Sequence, residues 1–138
     1  MKAVIQRVIE ASVTVDGAEV ARIGPGLLVF LGVAVGDDID SADRMAERIS
    51  KLRIFEDRDG RLGEPLGGRE ILCVSQFTLL ADTKKGNRPG FSEAAEPDLA
   101  QGLYDRVCER LDARKGVFGA SMQVGMLGDG PVTLLLDV

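Results

Sequence analysis

Ser12-Val13-Thr14-Val15-Asp16-Gly17-Ala18-Glu19-Val20-Ala21-Arg22-Ile23-Gly24-Pro25-Gly26, followed by the apolar run Leu27 to Val35, decides the fold class. Polar and apolar residues alternate over Ser12 to Val15, the period of a half-buried strand. Asp16-Gly17 is a hairpin turn signal. Glu19 to Ile23 reads as the return strand, and Gly24-Pro25-Gly26 ends it. Leu27 to Val35 is almost wholly apolar, which suits a strand buried on both faces.

Upstream, Ala3, Ile5 and Arg7 alternate with Val4, Gln6 and Val8, again strand-like, with one mixed face. Downstream, Asp37, Asp38, Asp40 and Ser41 mark a helix N-terminus. Ala42, Met45, Ile49 and Leu52 then recur at helical spacing, opposite Arg44, Glu47, Arg48 and Lys51. Phe55 to Gly68 is polar and Gly-rich, a loop or frayed hairpin. Glu70 to Leu80 is a second β run. Pro97 is placed to be the first residue of a second helix, with Leu99, Leu103, Val107 and Leu111 as its stripe. Phe118 to Leu127 and Val132 to Val138 read as two strands split by Gly128-Asp129-Gly130-Pro131. Six or seven strands with two isolated helices predict an α+β fold with a curved, mixed or largely antiparallel, barrel-like sheet.

The chain has 138 residues, enough for one domain with its own core. We expect a single domain over 1–138, since no repeat, low-complexity tract or linker interrupts it. Lys and Arg number 17 against 22 Asp and Glu, giving a net charge of −5. Such acidity argues against sequence-independent coating of a duplex, so DNA is not an expected partner, though a small basic patch could grip one end of a nucleic acid. The start, Met1 to Arg7, carries a charge where a signal peptide would be apolar, and Leu27 to Val35 is too short to span a bilayer. The expected setting is cytoplasmic, without a membrane partner.

There is no histidine. That removes Ser-His-Asp and Cys-His nucleophile activation, His-containing zinc sites and the usual general base near neutral pH. Chemistry here must use carboxylates, Lys, Tyr, hydroxyls, a thiol, backbone amides or the substrate itself. Cys73 and Cys108 belong to no CxxC and lie in apolar segments, so both are expected to be reduced core thiols. Carboxylates with metal-ligand spacing are not found. Neither a metal nor another cofactor is expected.

Four segments remain as chemical candidates. Ser75-Gln76-Phe77-Thr78 puts hydroxyls and an amide at the end of the apolar strand Ile71 to Val74. Such polar groups cap their own strand end or face a cleft, where hydroxyls and backbone N–H groups could polarise a carbonyl oxygen. Lys84-Lys85-Gly86-Asn87-Arg88-Pro89 gathers three positive charges, as a solvated loop or as a phosphate clamp. Gly130-Pro131 is a turn, or a cis peptide that re-aims backbone carbonyls. Phe118-Gly119-Ala120-Ser121-Met122 has small residues that allow close packing or leave room for a ligand.

Together these segments resemble the D-aminoacyl-tRNA deacylase family, nearly end to end. The resemblance runs through Ile5-Gln6-Arg7-Val8, Gly26-Leu27-Leu28-Val29, Leu52-Arg53-Ile54-Phe55, Val74-Ser75-Gln76-Phe77-Thr78-Leu79, Ala81-Asp82-Thr83, Gly86-Asn87-Arg88-Pro89, Phe118-Gly119-Ala120 and Asp129-Gly130-Pro131-Val132-Thr133. The Ser-Gln-Phe-Thr and Gly-Pro-Val-Thr elements, in this order, are its most specific parts. The chain departs from the family at Arg61 to Gly68, which lacks the usual Met-Asn segment, at the short Asp112 to Gly116 connection, and at Gly90 and Gly128.

The resemblance implies a cytoplasmic homodimer that hydrolyses the ester between a D-amino acid and the tRNA 3′ end. It extends to glycine mischarged on tRNA(Ala). Its partners would be a second copy and the 3′ end of aminoacyl-tRNA, with each site shared across the interface. Carried over, Ser75, Gln76, Phe77 and Thr78 are the catalytic residues that position the ester carbonyl. Gly130 and cis Pro131 come from the partner chain and exclude an L side chain. Phe118, Ala120 and Met122 bind substrate, and Lys84, Lys85 and Arg88 bind tRNA. Chemistry would rest on the terminal ribose 2′-hydroxyl. The alternative is a non-catalytic module that binds the tRNA 3′ end on the same fold.

Overall fold

A 14-residue strand, β1 (Lys2–Val15), is the spine of the sheet in the computed structural model, which describes residues 1–84 and 86–138. Its second half turns at Asp16-Gly17 into β2 (Ala18–Ile23). Both turn residues have positive φ, 50° and 78°, and Val15 pairs with Ala18. This is the two-residue mirror-image turn whose twist matches that of the strands. The first half of β1 pairs antiparallel with β3 (Gly26–Gly32), from Lys2 opposite Gly32 to Val8 opposite Gly26.

α1 (Ile39–Ser50) follows β3. Asp38 caps it: its Oδ1 accepts the Ser41 N–H at 2.9 Å, and Ser41 Oγ accepts the Asp38 N–H at 3.4 Å. The short pair β4 (Phe55–Glu56) and β5 (Leu62–Glu64) is the frayed hairpin that the Gly-rich stretch predicts. β6 (Glu70–Ser75) returns parallel to β3, α2 (Pro97–Arg110) crosses over, and β7 (Arg114–Lys115) lies parallel to β6. β8 (Gln123–Asp137) closes the chain against the free side of β1. The sheet is therefore mixed and nearly closed, with two helices, as expected.

Two cores fix this arrangement. Ile5, Leu27, Val29, Leu31, Ile71 and Cys73 face the helices, where Met45, Ile49, Leu103 and Val107 meet them. Val8, Ala11, Val13, Ile23, Leu28, Leu72 and Val74 fill the concave face. β3 and β6 contribute to both, which is why Leu27 to Val33 carries no polar residue. Asp43 joins the helices by two hydrogen bonds from Arg106, at 2.6 and 2.8 Å.

Three expectations change in detail. The run Glu70 to Leu80 is strand only to Ser75. The Gln76 N–H makes a last ladder bond to Leu31 O at 2.8 Å, and residues Phe77–Leu80 then form a 3-10 turn. That turn folds back over Gly32, where a Cβ would lie 2.9 Å from Gln76 O and 2.5 Å from Leu80 Cδ2. Phe118 to Met122 is a turn, not a strand, and β8 runs unbroken through Gly130-Pro131. Val8 pairs with Gly128 and Gln6 with Thr133, so residues 129–132 bulge out of the ladder opposite Arg7. Pro131, lacking an N–H, sits where no rung is needed. On α2, Leu99 is 48% exposed, and the buried stripe is Ala100, Leu103, Tyr104, Val107 and Cys108. A strict four-residue spacing drifts off a helix of 3.6 residues per turn, leaving Leu99 at the edge of the stripe.

Candidate active site

The end of β6 opens into a cavity of about 490 Å³. Its floor is Val74, Ser75, Gln76 and Phe77. One wall is the turn that carries Phe118, Gly119, Ala120 and Met122. Opposite stand Ala94, Ala95, Pro97 and Ala100 at the start of α2. Ser75, Gln76, Phe77, Phe118, Ala120 and Met122, far apart in sequence, are thus brought together in one space. Apart from Ser75 and Gln76 the lining side chains are apolar, which leaves few polar groups to orient a ligand.

The 3-10 turn supplies the polar edge. Its first closed bond runs from the Leu79 N–H to Gln76 O at 3.2 Å, so the N–H groups of Phe77 and Thr78 precede it and have no partner within the turn. A free N–H at the start of such a turn can receive a developing oxyanion, and Phe77, which lines the cavity, carries one of the two. Thr78 does not line the cavity; its Oγ1 accepts a hydrogen bond from Gln76 Nε2, which fixes the amide. The Phe77 ring is half exposed and meets Phe91 edge-on, with centroids 4.9 Å apart.

That aromatic pair ties the basic loop to the cavity. Asp82 and Gly90 exchange backbone hydrogen bonds of 2.8 and 2.9 Å, closing a loop that leaves the 3-10 turn and returns at Phe91. Lys84 and Arg88 are exposed on it, while Lys85 lies outside the described residues. Asp82 Oδ1 accepts the Lys84 N–H at 2.9 Å.

Gly130 and Pro131 do not line this cavity. Their peptide bond is cis, Gly130 has φ 124°, and both residues are exposed on β8. Beneath them lies Arg7, 3% exposed, a residue whose role sequence reasoning missed. Its Nη1 donates to Ile54 O at 2.9 Å, and its Nε lies 3.1 Å from both the main-chain O and Oδ2 of Asp129. Nη2 reaches Glu56 Oε1 at 3.4 Å. A charged residue on the same face as Ala3 and Ile5 was the available signal, because a buried guanidinium must find carbonyls or carboxylates.

Cys73 and Cys108 are both free and buried. A hydrogen bond to Cys108, together with burial, pushes the Cys73 thiol well above its ordinary range, so it carries no thiolate chemistry. Among the described residues, no group of three or more His, Cys, Asp or Glu could hold a metal ion, and no helix is long and apolar enough to cross a membrane.

The family model described as D-Tyr-tRNA(Tyr) deacylase matches residues 4–137. Over 144 aligned residues the chain is 51% identical to the D-aminoacyl-tRNA deacylase of Myxococcus xanthus (strain DK1622), covering 99% of this chain and 94% of that one. It is 52% identical to the D-aminoacyl-tRNA deacylase of Dehalococcoides mccartyi (strain CBDB1), with the same coverage. Among solved structures, one titled c-Myc DNA Unwinding Element Binding Protein superposes with a TM-score of 0.92 at 42% identity, covering 100% of this chain and 99% of its own. Another, titled a probable eukaryotic D-amino acid tRNA deacylase, superposes with a TM-score of 0.86 at 17% identity, covering 99% and 98%, which is a likeness of fold.

Proposed function

The chain belongs to the D-aminoacyl-tRNA deacylase family and is a hydrolase of the aminoacyl-tRNA ester bond, and on that premise we propose how its site works. The observation that carries the reading is the cavity at the end of β6, where an apolar wall meets Ser75, Gln76 and the start of the 3-10 turn at Phe77. The aminoacyl ester enters this cavity by the tRNA 3′ end. The N–H groups of Phe77 and Thr78 receive the ester carbonyl as it becomes an oxyanion, and the Gln76 amide, held by Thr78, orients it. As the family resemblance implies, the terminal ribose 2′-hydroxyl is the group that activates water, which agrees with a chain that has no histidine.

Selectivity comes from a second protomer. Gly130 and cis Pro131 of that copy face the ester, hold the α-amino group on backbone carbonyls and occupy the space an L side chain needs. Glycine has no side chain to exclude, so glycyl-tRNA(Ala) is also a substrate. Two facts support a homodimer. The Gly130-Pro131 bulge lies outside its own protomer's cavity. The strand that carries it exposes Met126, Leu127 and Leu135, the last at 78%, along an unpaired edge. Lys84 and Arg88 take tRNA phosphates beside the mouth, with Lys85 as a third basic residue of the same segment, and the protein acts in the cytoplasm, where aminoacyl-tRNA is found.

The test is release of amino acid from D-tyrosyl-tRNA, L-tyrosyl-tRNA and glycyl-tRNA(Ala). Release from the D and glycyl forms, with the L form spared, is expected. Binding of tRNA with no loss of ester would instead make the chain a 3′-end binding module. Sedimentation of wild type and Leu135→Asp tests the shared site: the variant should be monomeric and inactive together.

A further inference from the structure

We propose that Tyr104 is a positioning residue of the deacylase site, the joint that fixes the floor strand of the cavity against the wall turn. It lies on α2 one turn after Ala100, which lines the cavity, but does not line it itself. It is 1% exposed, and its hydroxyl donates to Cys73 O at 2.8 Å. The same carbonyl accepts the Gly116 N–H at 3.0 Å. Cys73 stands two residues before Ser75, and Gly116 two residues before Phe118. The Tyr104 ring also meets the Phe118 ring, with centroids 5.9 Å apart and planes at 46°. One side chain therefore touches both sides of the cavity.

Beside the packing of Met122 against the core that contains Val74, few hydrogen bonds hold these sides at their separation. β7 pairs with β6 at only two positions, Arg114 with Leu72 and Lys115 with Cys73, and the Gly116 bond is the last rung. Residues 117–122 then run without a strand partner until Gln123 pairs with Thr14. Across that span the hydroxyl sets the height of the floor and the ring sets the place of Phe118. Burial pushes the Tyr104 phenol far above its ordinary range, so the donor stays protonated across the neutral and mildly alkaline range.

The inference rests on the deacylase reading for its kinetic arm, and a second arm does not need that reading. Tyr104→Phe removes one oxygen and leaves Cys73 O its bond from Gly116. We expect circular dichroism to be unchanged, kcat for D-tyrosine release to fall about ten-fold, and KM to move less than about two-fold, since the hydroxyl touches no substrate. Amide exchange at Gly116 and Gln76 should become faster. Because Tyr104 is the single tyrosine of the chain, growth on 3-fluorotyrosine changes this residue alone and keeps its hydroxyl. That protein should keep the wild-type kcat. A Tyr104→Phe protein with wild-type kcat well below its melting temperature overturns the proposal, whatever its stability, and so does unchanged exchange at Gly116 and Gln76. A wild-type protein that releases nothing from D-tyrosyl-tRNA sinks the deacylase reading, and the exchange arm still decides whether Tyr104 holds the two walls.

Discussion

Arg7 turns a strand residue into a support for a loop on another strand. Its guanidinium gathers Ile54 O, Asp129 O and the Asp129 carboxylate in a nearly dry place. Replacing it with Met keeps the bulk and leaves two carbonyls without their donor. We expect Arg7→Met to lose about 2–4 kcal/mol of stability, read as a lower urea midpoint at unchanged m. Gly130 sits on that support with φ 124°, and a Cβ there would lie 3.0 Å from Val132 N and 3.2 Å from Arg7 Nη2. Gly130→Val must therefore shift the bulge. A displacement of about 1 Å at a reacting centre costs about a hundred-fold in rate, so that is the expected loss of D-tyrosine release. Thr78→Ala removes only the partner of the Gln76 amide, a loss of about 1 kcal/mol or roughly five-fold. Equal rates for the two variants would contradict this order.

At the scale of elements, α1 shows how far local rules reach. The run of acids before Ser41 places the helix start, and Asp38 is the cap. Hydrogen bonds from the Ser41 N–H and hydroxyl hold its carboxyl below the ordinary Asp range. A depressed folded value means that the carboxylate stabilises the helix above the unfolded pKa, about 4, and that this contribution is lost as pH falls through the lower folded value. The protection factors against amide exchange at Ser41 and Ala42 should therefore fall over that acid window, and in Asp38→Ala they should be insensitive to it and already low at pH 7. β6 shows where local rules stop. Glu70 to Leu80 has one β-like composition throughout, yet the strand leaves the sheet after Ser75. The cause is Gly32 on the neighbouring strand, whose missing side chain admits Gln76 O and Leu80. The polar Ser75-Gln76 pair marks the strand end, but the turn over Gly32 that follows is not recorded between Glu70 and Leu80.

At the scale of the molecule, charge and shape divide the labour. The chain is acidic overall, but Lys84 and Arg88 stand on a loop anchored to the cavity by the Phe77–Phe91 contact. A double change, Lys84→Ala with Arg88→Ala, should weaken tRNA binding and reduce the slope of log K against log salt by about 1–2, while kcat at saturating tRNA holds. An unchanged slope would remove the clamp. The two helices lie on one face of the sheet because both parallel connections, β3 to β6 and β6 to β7, cross over that face. The opposite edge, β8, is left bare, and it is this edge that carries Gly130 and Pro131.

The hairpin at Asp16-Gly17, the doubly buried β3, both helix starts and the Ser75-to-Thr78 strand end could be read from the chain, because turn chemistry, periodicity and capping act between neighbours in sequence. So could the absence of a histidine mechanism, since composition alone decides it. The cavity could not. Ser75 and Phe118 meet through a parallel crossover and a short β7, and the walls are lined by Ala94, Ala95 and Ala100, with Tyr104 packed against Phe118, ordinary helix and loop residues until they are packed. Arg7 is likewise a strand residue by pattern and becomes a support only when β8 bulges opposite it. Long-range contacts of this kind depend on which surfaces the whole chain buries together, and that is fixed only when both cores have closed.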